Sequence, residues 1–202
     1  MSPLRAGIRT AGTGLRTMLV LTAVLGIAYP LVITGVGEAA FPWHSNGLVV
    51  EVNGMPVGSA LIGQSFSDAN GNPLPEYFQP RPSAAGKGYD GAASGGSNLG
   101  PENPDLIALI KKRRAEIAEF DDVDPKEIPA DALTASASGL DPDISPAYAL
   151  LQVSRIAKER GLLEPQVREL VTSKIRPRDL GYLGEPSVNV LELNIALTQL
   201  KG

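Results

Sequence analysis

The sequence predicts an α+β protein: one N-terminal transmembrane helix followed by a single mixed α+β extracytoplasmic domain. Three observations support this prediction: an uncharged apolar run near the N-terminus, a turn signal between two short apolar runs, and helical apolar periodicity in the C-terminal half. The predicted boundaries are 1–16 for a short cytoplasmic N-terminus, 17–37 for the membrane helix and 38–202 for the domain.

Charged residues are distributed unevenly over the 202 residues. All 22 acidic residues lie at or after Glu38, whereas three of the 18 basic residues, Arg5, Arg9 and Arg16, lie before it. The uncharged stretch 17–37 is long enough, as a helix, to span a hydrocarbon core of roughly 30 Å. Basic residues that precede such a helix favour a cytoplasmic N-terminus. The alternative is a secretory signal peptide that is cleaved near Gly37.

The membrane helix carries a stripe of small or hydroxyl-bearing residues at four-residue spacing: Thr22, Gly26, Pro30 and Thr34. Such a stripe lets another membrane helix approach closely, and we predict that this face packs against a larger membrane protein. A plain lipid anchor is the alternative. Pro30 also lacks a backbone N–H, so the carbonyl of Gly26 needs another partner or the helix kinks.

Composition excludes several kinds of chemistry. The chain has no cysteine and one histidine, which leaves zinc, haem, iron–sulfur and thiol-nucleophile sites without ligands. We therefore predict no metal site, and the missing catalytic motifs considered below extend this to no catalytic residues and no tightly bound cofactor. The domain from Glu38 onward has 15 basic and 22 acidic residues, net −7, which argues against nucleic acid as a partner.

The domain begins with a predicted β-hairpin, because Asn53-Gly54 separates the apolar runs 48–52 and 57–66. The segment 67–104 is rich in Gly, Pro, Ser and Asn, and its composition is typical of a loop. It nevertheless contains Tyr77, Phe78 and Tyr89, so we predict an ordered loop that these rings pin to the domain.

Four helices are predicted after this loop. The first starts at Pro104, and the second runs from Pro146 to Gly161. The third runs from Pro165 to just before Pro177, and the fourth runs from Asn189 to Leu200. The acidic run 116–131 between the first two is predicted to be a hydrated linker.

The sequence lacks the motifs of a nucleotide-hydrolysing enzyme. Gly86-Lys87 has Arg81 where the Walker A motif needs glycine, and the chain has no Asp-Lys-Thr phosphorylation segment. An alternative enzyme is a membrane-anchored Ser/Lys hydrolase that uses Lys87 with Ser83, Ser94 or Ser97. A free-standing anchored binding module is a further alternative. In Ser94-Gly95-Gly96-Ser97, successive glycines can expose N–H groups to an anion, and they serve a tight turn equally well.

Several long blocks resemble one family, the C subunit of the bacterial Kdp potassium-transporting ATPase. They cover the chain from Ala28 nearly to its end: AYPLVITG (28–35), GSALIGQSF (58–66), YFQPRPSA (77–84), YDGAASGGSNLGPENP (89–104), LTASASGLDPDISPAYALLQVSRIAKERGL (133–162) and LGEPSVNVLELNIAL (183–197).

The resemblance implies a non-catalytic, single-pass subunit in the plasma membrane of a bacterium. Its implied partners are a channel-like potassium-binding subunit and a P-type ATP-hydrolysing subunit of the same complex. The family is described as stabilising the complex and as a catalytic chaperone that raises the ATP affinity of the pump subunit. Ser94, Gly95, Gly96 and Ser97 match the segment invoked for nucleotide contact in this family, without the leading Leu and final Gln of the related transporter signature.

Overall fold

The computed structural model describes residues 3–200 and the side chains of residues 7–200. Residues 1, 2, 201 and 202 and the side chain of Arg5 lie outside this description. The chain divides into two compact units, Met1–Leu48 and Val49–Gly202. Mixed helices and strands follow one apolar N-terminal helix, which confirms the predicted α+β class.

The first unit is helical. It consists of α1 Pro3–Ala23, a π-helical turn Val24–Ala28, α2 Tyr29–Ala40 and the short α3 Pro42–Ser45. Within it, the 34 residues Gly7–Ala40 are long and apolar enough to cross a membrane, and none of the span's most apolar stretch is buried against other parts of the chain. At 1.5 Å per residue such a helix is about 51 Å long, which exceeds the roughly 30 Å of a hydrocarbon core.

The helix accommodates Pro30 through the π-helical turn. Pro30 has no N–H to donate to the carbonyl of Gly26. Immediately before it, the hydrogen-bond spacing changes from four residues to five, so that the Tyr29 N–H donates to the carbonyl of Val24. A π turn is a common way for a helix to accommodate such a local break. The helix therefore continues through the proline.

The second unit contains four short strands and six helices among its described residues. The strands are β1 Val49–Val52, β2 Met55–Ser59, β3 Asp143–Ile144 and β4 Val188–Asn189. The helices are α4 Pro104–Asp121, α5 Ala130–Leu133, α6 Pro146–Leu151, α7 Val153–Arg160, α8 Glu164–Ser173 and α9 Val190–Gln199.

The predicted hairpin is confirmed as the antiparallel pair β1–β2. Asn53 and Gly54 both have positive φ, 54° and 76°, which is the geometry that matches the twist of a two-residue hairpin. The second strand ends at Ser59 and does not reach residue 66. Beyond it the chain turns, and the Gly63 N–H donates to the carbonyl of Leu140 at 2.9 Å.

All four predicted helices are present, and side chains cap three of them. Asn103 starts α4, Ser145 starts α6 and Asn189 starts α9, each accepting a hydrogen bond from a backbone N–H of the first turn. The helix predicted from Pro146 is divided at Gln152 into α6 and α7, and it ends at Gly161 with φ 64°. The core lies between α6, α7, α8 and α9, where Val153, Ile156, Val171, Leu193 and Leu197 are fully buried.

The acidic run 116–131 is a hydrated linker only in its middle, where residues 122 and 124–127 are exposed, and the prediction is wrong for its two ends. Its first part belongs to α4, and Asp121 at the end of that helix is only 4% exposed. Asp131 accepts hydrogen bonds from the N–H and the hydroxyl of Ser145 at 2.8 and 2.9 Å. Composition alone hid these roles, because a carboxylate inside a domain is stabilised by partners that are distant in sequence.

Candidate functional site

The glycine-rich segment 67–104 is ordered, as its aromatic residues predict. Two amide side chains attach the first part of this segment to the core. Asn194 on α9 accepts from the Phe78 N–H at 2.9 Å and donates to the Phe78 carbonyl at 3.0 Å. Gln152 does the same for Gln79, at 2.7 and 3.1 Å. Phe78 itself is completely buried. These side chains replace the hydrogen bonds that a neighbouring strand would supply.

A buried arginine fixes the residues just before this attachment. Arg155 on α7 donates from Nε to Asp121 at 2.7 Å and from Nη2 to Gln152 at 2.8 Å. Its Nη1 donates to the backbone carbonyls of Pro75 and Tyr77. Burial raises the pKa of the Asp121 carboxyl, and the charge of Arg155 partly offsets that effect. The pair is nearly solvent-free, with side chains 5% and 2% exposed.

The middle of the segment is docked on the loop 134–141. The Tyr89 hydroxyl donates to the carbonyl of Arg81 at 2.6 Å, and the Ser83 hydroxyl donates to the carbonyl of Gly139 at 2.6 Å. Gly139 has φ +67°, and a Cβ there would lie 2.7 Å from the Ala85 backbone nitrogen. Only glycine fits this close approach.

An open cleft of about 860 Å³ lies between this segment and α4. Arg81 in its wall pairs with Asp141 at 2.8 Å, and Arg113 donates to the carbonyl of Leu133 at 2.9 Å. Burial lowers the pKa of Arg113 and raises that of Tyr148, which also lines the cleft. Chemically, the cleft offers hydrogen-bond donors suited to carbonyl or carboxylate oxygens.

The predicted nucleotide or partner segment, Ser94, Gly95, Gly96 and Ser97, packs on the same loop and outside the residues that line the cleft. The Ser94 hydroxyl and the Gly95 N–H both donate to the carbonyl of Ser138, at 2.9 and 2.8 Å. A Cβ on Gly96 would lie 2.9 Å from the carbonyl of Ala137. These glycines thus allow close packing, and the segment's role in ligand contact stays a prediction.

Two of the three serine residues of the alternative hydrolase, Ser83 and Ser94, donate their hydroxyl protons to backbone carbonyls. In the part of the chain that the structure describes, no hydrogen bond joins Lys87 to Ser83, Ser94 or Ser97. Ser83 also accepts from the Tyr89 N–H at 2.8 Å, so its hydroxyl is held in a loop-ordering role. Among residues 7–200, no group of three or more His, Cys, Asp or Glu is placed to hold a metal ion.

The membrane stripe Thr22, Gly26, Pro30 and Thr34 is exposed along its whole length. A Cβ at Gly26 would meet only the Thr22 methyl group, at 3.8 Å, which is an ordinary contact. Nothing in the chain's own helix therefore requires glycine at this position.

Sequence reasoning missed the polar residues that hold the segment, Gln152, Arg155 and Asn194. A signal was present, because each of them interrupts the apolar face of a predicted helix. A polar residue on such a face is buried with a partner or opens a site. The backbone groups that the two amides hold, however, are distant in sequence: Gln79 is 73 residues from Gln152, and Phe78 is 116 residues from Asn194.

Comparison with known proteins gives one family. The family model described as KdpC, K+-transporting ATPase, c chain, matches residues 11–199. A protein of Kineococcus radiotolerans named potassium-transporting ATPase KdpC subunit is 54% identical over 190 residues, covering 94% of this chain and 93% of the relative. Proteins of the same name from Ralstonia nicotianae and Koribacter versatilis are 49% and 46% identical, covering 98% and 92% of this chain and 97% and 92% of their own lengths. With matches of this extent on top of the predicted resemblance, the chain belongs to the KdpC family of potassium-transporting ATPase subunits.

Proposed function

We propose that this chain is the accessory subunit that stabilises an ATP-driven potassium-uptake complex, and that it performs no catalysis itself. Its partners are a channel-like potassium-binding subunit and a P-type ATP-hydrolysing subunit. The names of its relatives support membership of such a complex. The domain's chemistry also fits positioning, since its polar side chains hold backbone segments in place.

Gly26 is the observation that carries the packing part of this proposal. Glycine in the middle of a helix costs about 0.5–1 kcal/mol relative to alanine. The chain has room for a Cβ there, so its own packing does not explain that cost. A second membrane helix that approaches along Thr22, Gly26 and Thr34 does explain it, because small residues let two backbones come close.

Replacing Gly26 with leucine is expected to weaken assembly. Gly26→Leu would hold a partner helix away from the stripe, and we expect association to weaken by about 1–2 kcal/mol, roughly tenfold. The measurement is the amount of the other subunits that co-purifies with a tagged copy of this chain. Ala28→Leu is the matched control, since it adds a similar side chain on the opposite face of the helix. If Gly26→Leu and Ala28→Leu retained equal amounts of the other subunits, the stripe would not be the face that packs against a partner helix.

We propose that residues from Glu38 onward lie outside the cytoplasm. The basic residues before the apolar run 17–37 and the acidic Glu38 after it support this orientation. A cysteine introduced by Ser97→Cys is expected to react with a membrane-impermeant maleimide in intact cells. Ser97 is exposed, and the chain has no native cysteine to compete. Protection in intact cells with labelling after lysis would place the domain inside and reverse the orientation.

The finer role, raising the ATP affinity of the pump subunit, stays a prediction from family resemblance. ATP would reach Ser94, Gly95, Gly96 and Ser97 only if that segment met the cytoplasmic nucleotide site. The same Ser97→Cys labelling therefore tests both roles: external labelling supports the stabilising role, and cytoplasmic protection supports nucleotide contact.

A further inference from the structure

A hairpin spans residues 176–187, between α8 and α9. Arg176 and Ser187 exchange both backbone hydrogen bonds, at 2.8 and 3.1 Å, and Asp179 and Leu183 do the same at 2.9 Å. Ion pairs brace it further, Arg178 with Glu185 across the hairpin and Arg176 with Asp143 of β3. The four backbone hydrogen bonds therefore hold the two arms of the hairpin together.

The end of this hairpin, which we call the hairpin tip, presents three large apolar side chains to solvent. Leu180 is 80% exposed, Tyr182 69% and Leu183 49%. Leu180 is the most exposed large hydrophobic residue among those described, membrane helix included. Clustered apolar side chains at the end of a braced hairpin are a typical contact surface.

The backbone of the hairpin tip makes the choice of leucine costly. Leu180 has φ 53° and the following Gly181 has φ 84°. Asparagine or glycine adopts such turn positions easily, whereas leucine with a positive φ is rare. The side chain gains almost no burial within its own chain in return. A strained residue that the local fold does not use points to a role outside the fold.

We propose that the hairpin tip is an anchor that inserts into an apolar pocket on the extracytoplasmic surface of another subunit of the pump. This inference rests on the proposed function. The pocket would take the leucine side chains, with a hydrogen-bond donor or acceptor at its rim for the Tyr182 hydroxyl. A rigid anchor suits a preformed pocket, because little freedom is lost when it binds.

The charges beside the hairpin tip favour a protein over the lipid surface. Asp179 adjoins Leu180, and the Glu185 side chain is 78% exposed. Anionic headgroups repel carboxylates, and segments that bind them carry unpaired Lys and Arg. Here Arg176 and Arg178 are already paired with acids. A protein pocket can place a donor opposite Asp179, which a fluid bilayer does not do.

The test compares assembly with stability in one variant. Leu180→Asn relieves the backbone strain, so the thermal midpoint of the full chain is expected to stay level or rise. Retention of the other subunits by the tagged chain is expected to fall roughly tenfold, as for a central anchor. Leu163→Asn is the matched control, because Leu163 is 67% exposed on the surface at the start of α8 and has an ordinary φ of −77°.

The outcomes separate the alternatives. Retention at the wild-type level in Leu180→Asn overturns the anchor while the complex itself remains established. A large drop in the thermal midpoint also overturns it, since the hairpin tip would then serve the fold. If the wild-type chain retains no other subunit, the proposed function fails instead. A p-benzoylphenylalanine at position 182 supports the anchor if it crosslinks to another subunit, and overturns it if it crosslinks only to lipid.

Discussion

Replacing Arg155 with methionine is expected to destabilise the second unit by about 3–5 kcal/mol, the usual cost of leaving one member of a buried ion pair alone. Asp121 would lose its only ion-pair partner among the described residues. The carbonyls of Pro75 and Tyr77 would each lose a donor as well. Urea unfolding of the full chain in detergent, followed by circular dichroism, measures the difference.

The matched control for Arg155→Met is Lys112→Met. Lys112 pairs with Glu116 on the surface of α4, with side chains 71% and 59% exposed. Pairs of this kind contribute about 0–1 kcal/mol, so this variant should unfold almost as the wild type does. If both variants lost the same stability, the buried cluster would have no special role.

The loss in Arg155→Met should also depend on pH. Burial already raises the folded-state pKa of Asp121, and Arg155 is the group that lowers it. Without Arg155 that pKa rises further, while the unfolded value stays near 3.8. Below the raised pKa the folded variant binds a proton that the folded wild type does not. The stability difference from wild type is therefore largest at neutral pH and shrinks as the pH falls.

Replacing Asn194 with alanine is expected to cost about 2–4 kcal/mol, because two buried backbone groups of Phe78 would lose their partners and a small cavity would form. Hydrogen exchange of the Phe78 and Gln79 amides should accelerate along with global unfolding. Asn70→Ala is the control, since Asn70 lies in an exposed turn and its side chain serves no buried group. If the Phe78 amide were as well protected from hydrogen exchange in Asn194→Ala as in the wild type, the attachment of Phe78 by Asn194 would be contradicted.

The parts of the fold that depend on local sequence could be predicted. The Asn53-Gly54 turn and the helix starts at Pro104 and Pro146 depend on neighbouring residues. The aromatic residues of the segment 67–104 predict an ordered loop, and the structure agrees, since Phe78 is completely buried and Tyr89 is half-buried. How they are held could not be predicted, because the amides that hold them are not their sequence neighbours.

The candidate site shows the same division. Ser94-Gly95-Gly96-Ser97 was compatible with an anion cradle or a tight turn, and only the loop 137–139 reveals where two of its donors point. The cleft joins Arg81 and Arg113, which are 32 positions apart by their numbers, and no motif links them. Side-chain convergence of this kind depends on tertiary packing, which a single sequence does not display.

The hydrogen bonds between Asn194 and Phe78 join residues that are synthesised at very different times. The two residues are 116 positions apart. At synthesis rates of about 5–20 residues per second, the ribosome needs roughly 6–23 s to proceed from one to the other. The glycine-rich segment therefore leaves the ribosome long before α9 exists to receive it. Until α9 has been made, neither of the two hydrogen bonds between Asn194 and Phe78 can form, so this attachment is completed only after most of the chain has been synthesised.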